Sequence, residues 1–235
     1  MANTLQSLGE NPCIGVVYGT SGMANHRIIG IRDFGAGSYV LRMDRCNLDF
    51  EPGQYIIAGL PHGIHRREYS VYSSPSDDFL EILIKEIDGG HVSSELRRLS
   101  VGDKVNVEGA FGYFRISVDD LSAPFLFIAT GTGISPFHSF TRFYPDLDYR
   151  LVHGIRSLEE RYDYADYDKT RIFSCVSREE GGSYQGRVTG WLKENSIPET
   201  CMVYLCGNSG MVDEVYRILA SWGFSADRIH AELYF

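Results

Sequence analysis

The sequence predicts two units in series, an antiparallel sheet or small barrel followed by a parallel α/β sheet. Three observations carry this. The first half is a succession of short β-type runs separated by Pro-Gly, Gly-Gly and Gly-Asp punctuation. After about Val118 the strand-like runs become continuously apolar and are spaced widely enough to hold helices between them. Between the two patterns lies the polar connection SVDDLSAP, which puts a boundary near residue 119.

In the first unit the expected strands are SYVLRMD, QYIIAGL, EYSVYSS, FLEILIKEI and KVNVEG. One helix is expected to interrupt them, because Ser93, Ser94 and Glu95 offer an N-cap ahead of Leu96 and Leu99. In the second unit PFLFIAT, YRLVHG, RIFSCVS, MVYLCG and RIHAEL read as buried strands, and their alternation with helical spacings argues a parallel sheet. The clearest helix runs from Ser209 to Trp222, with Val212, Val215, Leu219 and Trp222 on one stripe and Gly223 as its stop.

A chain of 235 residues can bury a full core. With 31 acidic against 22 basic residues, binding to nucleic acid driven by phosphate neutralisation is not expected. The N-terminal MANTLQSLGENP has no basic segment leading into an apolar one, and no apolar run reaches bilayer length, so a cytoplasmic protein without a membrane span is expected. The five cysteines are an odd number without C-x-x-C spacing or clustered histidines, which predicts neither a disulfide scaffold nor a zinc or iron-sulfur site. No metal ligands are assigned.

Five stretches could carry chemistry. In REYS, alternate residues of a strand share a face, so Arg67 and Tyr69 point together while Glu68 and Ser70 point the other way. A guanidinium holds phosphate oxygens and a tyrosine ring stacks on a flat heterocycle, yet these residues alone favour an arginine over an aromatic on an exposed sheet. GGHVSS places Val92, Ser93 and Ser94 at a helix start, which suits either a pyrophosphate or an ordinary cap. IATGTGISP follows a buried strand directly, where glycines let main chain approach a phosphate, although it matches neither the dinucleotide nor the P-loop fingerprint. Arg156, Arg178 and Arg187 stand at strand ends that would share one rim, and convergent guanidiniums imply a dianionic phosphate such as the 2'-phosphate of a nicotinamide cofactor. Finally, LCGNSGM puts Cys206, Gly207, Asn208 and Met211 at another strand end, and the closing HAELYF needs something for Tyr234 and Phe235 to pack against.

Taken in order, R-x-Y-S at Arg67, GGHVSS, G-x-F at Gly112, GTGISP, HGIRS, VSRE, GR at Gly186, CGN and a terminal E-x-Y-F resemble the ferredoxin-NADP reductase family, in particular its short bacterial branch. The resemblance runs from FEPGQY at Phe50 to the last residue. Single motifs of this kind are weak, but nine in register are not.

The resemblance implies an antiparallel Greek-key β-barrel that binds FAD, over residues 1–119, and a five-stranded parallel α/β domain that binds NADP, over 120–235. It implies that Arg67, Glu68, Tyr69 and Ser70 meet FAD, with Tyr69 stacking on the ring and Ser70 near N5, and that Leu83, Ile84, Lys85, Val92, Ser93, Ser94 and Thr132 line it. Tyr234 would shield the ring, and Phe235 would approach the adenine. For NADP it implies Thr132, Gly133, Arg156, Ser177, Arg178, Arg187, Cys206, Gly207, Asn208 and Met211. Ser70, Cys206, Glu232 and Tyr234 would surround the reacting atoms. The activity implied is hydride exchange between NADPH and FAD, then single-electron exchange with a ferredoxin or flavodoxin, by a monomer that docks its partner transiently and electrostatically. His62, His65, Arg66, Arg97 and Arg98 would form the cationic rim for that docking. A reductase of free flavin and a non-autonomous electron-transfer subunit are the alternatives, disfavoured by the GGHVSS loop with its aromatic tail and by the absence of a cysteine cluster after Cys206.

Overall fold

A computed structural model describes residues 22–234. Phe235 and the first 21 residues, Cys13 among them, lie outside the described residues. The first six strands are β1 (Ala24–Gly35), β2 (Ser38–Asp44), β3 (Tyr55–Gly59), β4 (Arg66–Ser70), β5 (Phe79–Lys85) and β6 (Lys104–Phe111). They form an antiparallel sheet in the order β4-β3-β6-β1-β2-β5. An antiparallel bridge from Val71 to Ile82 ties the chain just beyond one edge strand to the other edge strand.

The five expected strands are present, and β1 is an addition. Its sequence ANHRIIGIRDFG hides the strand because five of its twelve residues are polar and register shifts at Ile28/Gly30 and Asp33/Gly35 break the alternation. Inward residues including Ile28, Leu41, Met43, Ile56, Leu80, Ile82 and Val105 form one core. Helix α1 (His91–Arg97) closes that core by inserting Val92 and Leu96, one turn apart. Its N-cap is Gly90, without a side-chain bond, so Ser93 and Ser94 lie inside the helix rather than capping it. The Ser93 hydroxyl accepts from Ile87 N at 3.2 Å, and its carbonyl accepts from the Tyr39 hydroxyl at 2.6 Å.

The second sheet consists of β7 (Phe125–Thr130), β8 (Tyr149–Ile155), β9 (Ile172–Val176), β10 (Tyr184–Gln185), β11 (Met202–Asn208) and β12 (Ile229–Tyr234). All pairs are parallel, in the order β10-β9-β8-β7-β11-β12. The sixth strand is β10, a two-residue extension beside Cys175 and Val176 that is too short to leave an apolar pattern. Helices α2 (Ser135–Phe143), α3 (Val188–Glu194) and α4 (Ser209–Ser221) complete the unit.

Side chains of β7 alternate between two cores. Phe125, Phe127 and Ala129 join Phe137, Phe140 and Tyr204 on one face, while Leu126 and Ile128 meet Trp191, Leu192, Val212, Val215 and Leu219 on the other. Trp191 is 5% exposed and packs on Phe173 with ring centroids 5.6 Å apart. Trp222 departs from the expected stripe. It caps α4 and is 36% exposed, and Met211 takes the fourth buried place.

The two sheets meet along a polar seam. Ser38 and Tyr162 hydroxyls bond at 2.8 Å, His138 Nδ1 donates to Tyr72 O at 2.7 Å, and Ser139 Oγ donates to Ser73 O at 2.7 Å. Arg142 holds Asp77 through two bonds of 2.7 and 2.9 Å. Asp163 receives Arg32 at 2.7 Å and the Tyr72 hydroxyl at 3.1 Å, and His138 Nε2 lies 2.9 Å from Asp166. These bonds commit His138 and Asp163 to joining the units, while Asp166 holds the His138 ring. Among the described residues no helix is long and apolar enough to cross a membrane.

Candidate functional site

Parallel strands end together, so β7, β8, β9 and β11 present their carboxyl ends on one rim. A cleft of about 720 Å³ opens there, lined by Thr130 to Thr132, Arg156, Ser177, Arg178, Arg187, Gly207, Asn208, Met211 and Tyr234. All three arginines predicted to converge are in this one cleft. Each is exposed, and none has a carboxylate partner among the described residues, whereas Arg32, Arg42, Arg97, Arg115 and Arg142 are all ion-paired. A set of unpaired guanidiniums facing one space is a receptor for an anion of high charge density.

The floor of the cleft is built from main chain. A turn at Gly131–Ile134 leads from β7 into α2, and the Thr132 carbonyl accepts from Ser135 Oγ at 2.7 Å. Gly133 does not line the cleft. It lies against β11, where a β-carbon would collide with the Cys206 carbonyl. Gly207 has φ of +126°, and a β-carbon there would strike Thr130. Thr130 Oγ1 accepts from Asn208 N at 3.0 Å, and the Asn208 side chain caps α4 by accepting from Gly210 N and Met211 N.

Sequence reasoning missed His153 in HGIRS. It is fully buried, donates from Nε2 to Gly131 O at 2.8 Å and faces the Tyr164 hydroxyl with Nδ1 at 2.9 Å. Burial pushes its pKa down to about 4, so it stays neutral and holds the Gly131 turn in place. A histidine within an apolar strand was the available signal.

Where the two sheets meet beside the cleft, four residues gather. Register pairs Cys206 with Glu232 and Asn208 with Tyr234 on neighbouring strands, and Ser70 approaches from the end of β4. The Tyr234 hydroxyl donates to Ser70 Oγ at 2.7 Å, and Ser70 Oγ donates in turn to Glu232 Oε1. Burial pushes the Glu232 carboxyl up to about 7, opposed by the Ser70 bond and assisted by Glu68. Cys206 lies 4.0 Å from Glu232, and burial holds its thiol well above the usual range, so it is a packed thiol and not a nucleophile.

On the first sheet Arg67 and Glu68 are exposed and Tyr69 is half-buried, packed on the first core. Burial pushes Tyr69 up to about 12 and the Arg67 charge opposes it, consistent with a shared face. Arg67 has no carboxylate partner among the described residues and bonds only Arg66 O, at 3.1 Å. This donor set fits a phosphate-bearing flat ring. Leu83 and Ile84 are 4% and 1% exposed and Val92 is 4%, so their side chains serve the cores. Lys85 is placed apart from them, since it lines the cleft of the second sheet and reaches Glu160 at 3.1 Å. In the expected rim, Arg66 lies 3.7 Å from Glu108, Arg97 pairs with Asp33, and His65 stacks on His91 at 5.1 Å.

Comparison with known proteins agrees with this layout. Residues 34–116 match the oxidoreductase FAD-binding domain family and residues 127–217 the oxidoreductase NAD-binding domain family. The flavodoxin/ferredoxin–NADP reductase of Escherichia coli (strain K12) is 32% identical over 194 residues, which cover 70% of this chain and 77% of that protein. The toluate 1,2-dioxygenase electron transfer component of Pseudomonas putida is 26% identical over 97% of this chain and 75% of its own length. Among solved structures, a ferredoxin NADP+ reductase from Neisseria gonorrhoeae with bound FAD and NADP superposes with a TM-score of 0.79 at 22% identity, over 91% of this chain and 99% of that one. At that identity the superposition speaks for the fold.

Proposed function

The chain belongs to the flavodoxin/ferredoxin-NADP reductase family, and from that premise we propose an FAD-dependent reductase that moves electrons between NADPH and a small carrier of ferredoxin or flavodoxin type. The observation that carries the reading is the cleft with three unpaired guanidiniums, which opens beside Ser70, Glu232 and Tyr234. FAD, when bound, accepts a hydride at N5 and gives up electrons singly.

The residues of the chain supply binding and orientation. Arg67 takes phosphate oxygens, Tyr69 stacks on the ring, and Glu68, Ser70 and the α1 segment at Val92, Ser93 and Ser94 complete that side. Leu83 and Ile84 contribute main chain. Arg156, Arg178 and Arg187 clamp a 2'-phosphate, and Ser177, Thr132, Gly207, Asn208 and Met211 line the rest of the dinucleotide path. Tyr234 covers the reacting region and must turn aside for the nicotinamide. Its bond to Ser70 lets Glu232 hold or receive a proton without bulk water. The Val71–Ile82 bridge supports reading the first sheet as a closed barrel, and the stretch between β6 and β7 supports a domain boundary near 119. Phe235 as an adenine partner lies outside the described residues.

The test is an absorption spectrum. Purified protein should be yellow or become so with FAD, and anaerobic NADPH should bleach it. Each charge-assisted phosphate bond contributes about 1.5–3 kcal/mol, so NADH should be inferior by well over tenfold. Equal bleaching by both nucleotides would remove the 2'-phosphate assignment. A colourless protein that takes up no FAD would remove the whole reading.

A further inference from the structure

The dinucleotide cleft is lined by two carboxylates, exposed Glu214 and buried Glu160, where a phosphate receptor would be expected to exclude them. Glu160 follows β8 by five residues, is only 5% exposed, and lines the same cleft as Arg156, Arg178 and Arg187. One oxygen, Oε2, accepts from the main-chain N–H of Arg156 at 2.8 Å and so fixes the turn that carries the first of those arginines. The other, Oε1, accepts from Lys85 Nζ at 3.1 Å. Lys85 comes from β5 of the opposite sheet, and its ammonium is also held by the Ala36 carbonyl. A buried carboxylate without a cation beside it is costly and would repel an anion entering the same space. The cation that neutralises it is delivered across the seam.

We propose that Lys85 neutralises Glu160 across the seam and thereby permits the cleft to favour the 2'-phosphorylated dinucleotide. Glu160 orients the Arg156 turn, and Lys85 cancels the charge this requires. The proposal rests on the 2'-phosphate reading of the three arginines. It takes Lys85 away from the flavin and makes the first domain a contributor to nucleotide choice.

The test uses FAD-loaded full-length protein and calorimetric titration with NADP+ and with NAD+, so the readout is binding and not turnover. Lys85→Met should weaken NADP+ by about tenfold or more and NAD+ by less than about threefold, because the uncompensated carboxylate opposes the extra phosphate charge. The double variant Lys85→Met/Glu160→Gln should recover most of the NADP+ affinity, since the opposing charge is gone. Glu160→Gln alone should bind NADP+ at least as well as the natural protein, relative to NAD+. If Glu160→Gln loses NADP+ preference as Lys85→Met does, the pair is a mechanical clasp and the charge argument is wrong. If Lys85→Met no longer retains FAD absorbance, Lys85 belongs to the flavin and the proposal is overturned. Natural protein that binds NADP+ and NAD+ alike would instead overturn the 2'-phosphate reading beneath it.

Discussion

At the residue scale, Glu232 is the group whose state the fold controls most clearly. Its carboxyl is raised from 4.5 to about 7, with burial as the leading cause. A carboxyl raised in the folded state stabilises the fold fully below pH 4.5, and that contribution is lost as pH rises through about 7. Urea midpoints at pH 4.5 and pH 8 should therefore fall further for the natural protein than for Glu232→Gln. Parallel behaviour of the two would show that Glu232 ionises normally. The position of this residue was legible from the AELYF ending, through family resemblance. Its Ser70 partner was legible only as a nearby hydroxyl, because the bond joins residues 162 positions apart. His153 was missed for a related reason: its bond goes to a main-chain carbonyl, which has no sequence signature.

Elements place these residues by ending at the same level. The β11 strand stops at Asn208, which then caps α4 with its side chain while its N–H holds Thr130. Replacing this cap with alanine should cost about 1 kcal/mol of stability. Asn208→Asp keeps the cap and should keep the stability, but it adds a negative charge to the cleft and should weaken NADP+ binding. Chemical denaturation and a nucleotide titration on the same two variants separate the roles, and equal losses in both measurements would mean that Asn208 acts through the helix alone. Strand content was readable where apolar runs were continuous, as in PFLFIAT and MVYLCG. It was unreadable in β1, where bulges and polar residues such as His26 and Arg32 mask the alternation, and in β10, which has two residues. The α1 cap was misread because the serines resemble a cap, whereas Gly90 occupies that place.

For the whole molecule, charge is distributed against its expected partner. The chain carries −9 overall, and small electron carriers of the ferredoxin type are acidic, so the proposed electrostatic docking would rely on a local rim. Two members of the expected rim are already committed, Arg97 to Asp33 and Arg66 to Glu108. This leaves His62, His65 and Arg98 for the proposed attraction. Reduction of a ferredoxin should therefore slow as salt is added, with a modest slope. A rate independent of ionic strength between 50 and 300 mM, on the order of a twofold change in Debye length, would remove electrostatic docking. The order of the two units was plain from the change in pattern near residue 119, but the seam between them was not. Its bonds pair residues such as Arg32 with Asp163 and Ser38 with Tyr162, over separations of 131 and 124 positions.

Both tryptophans of the chain, Trp191 in α3 and Trp222 at the end of α4, belong to the second unit. Tryptophan emission therefore has no source in the first sheet. Emission from buried Trp191 reports loosening of the nucleotide domain, and exposed Trp222 supplies a constant background. Flavin absorbance reports the other half, so two optical channels can say whether the seam makes the domains unfold as one.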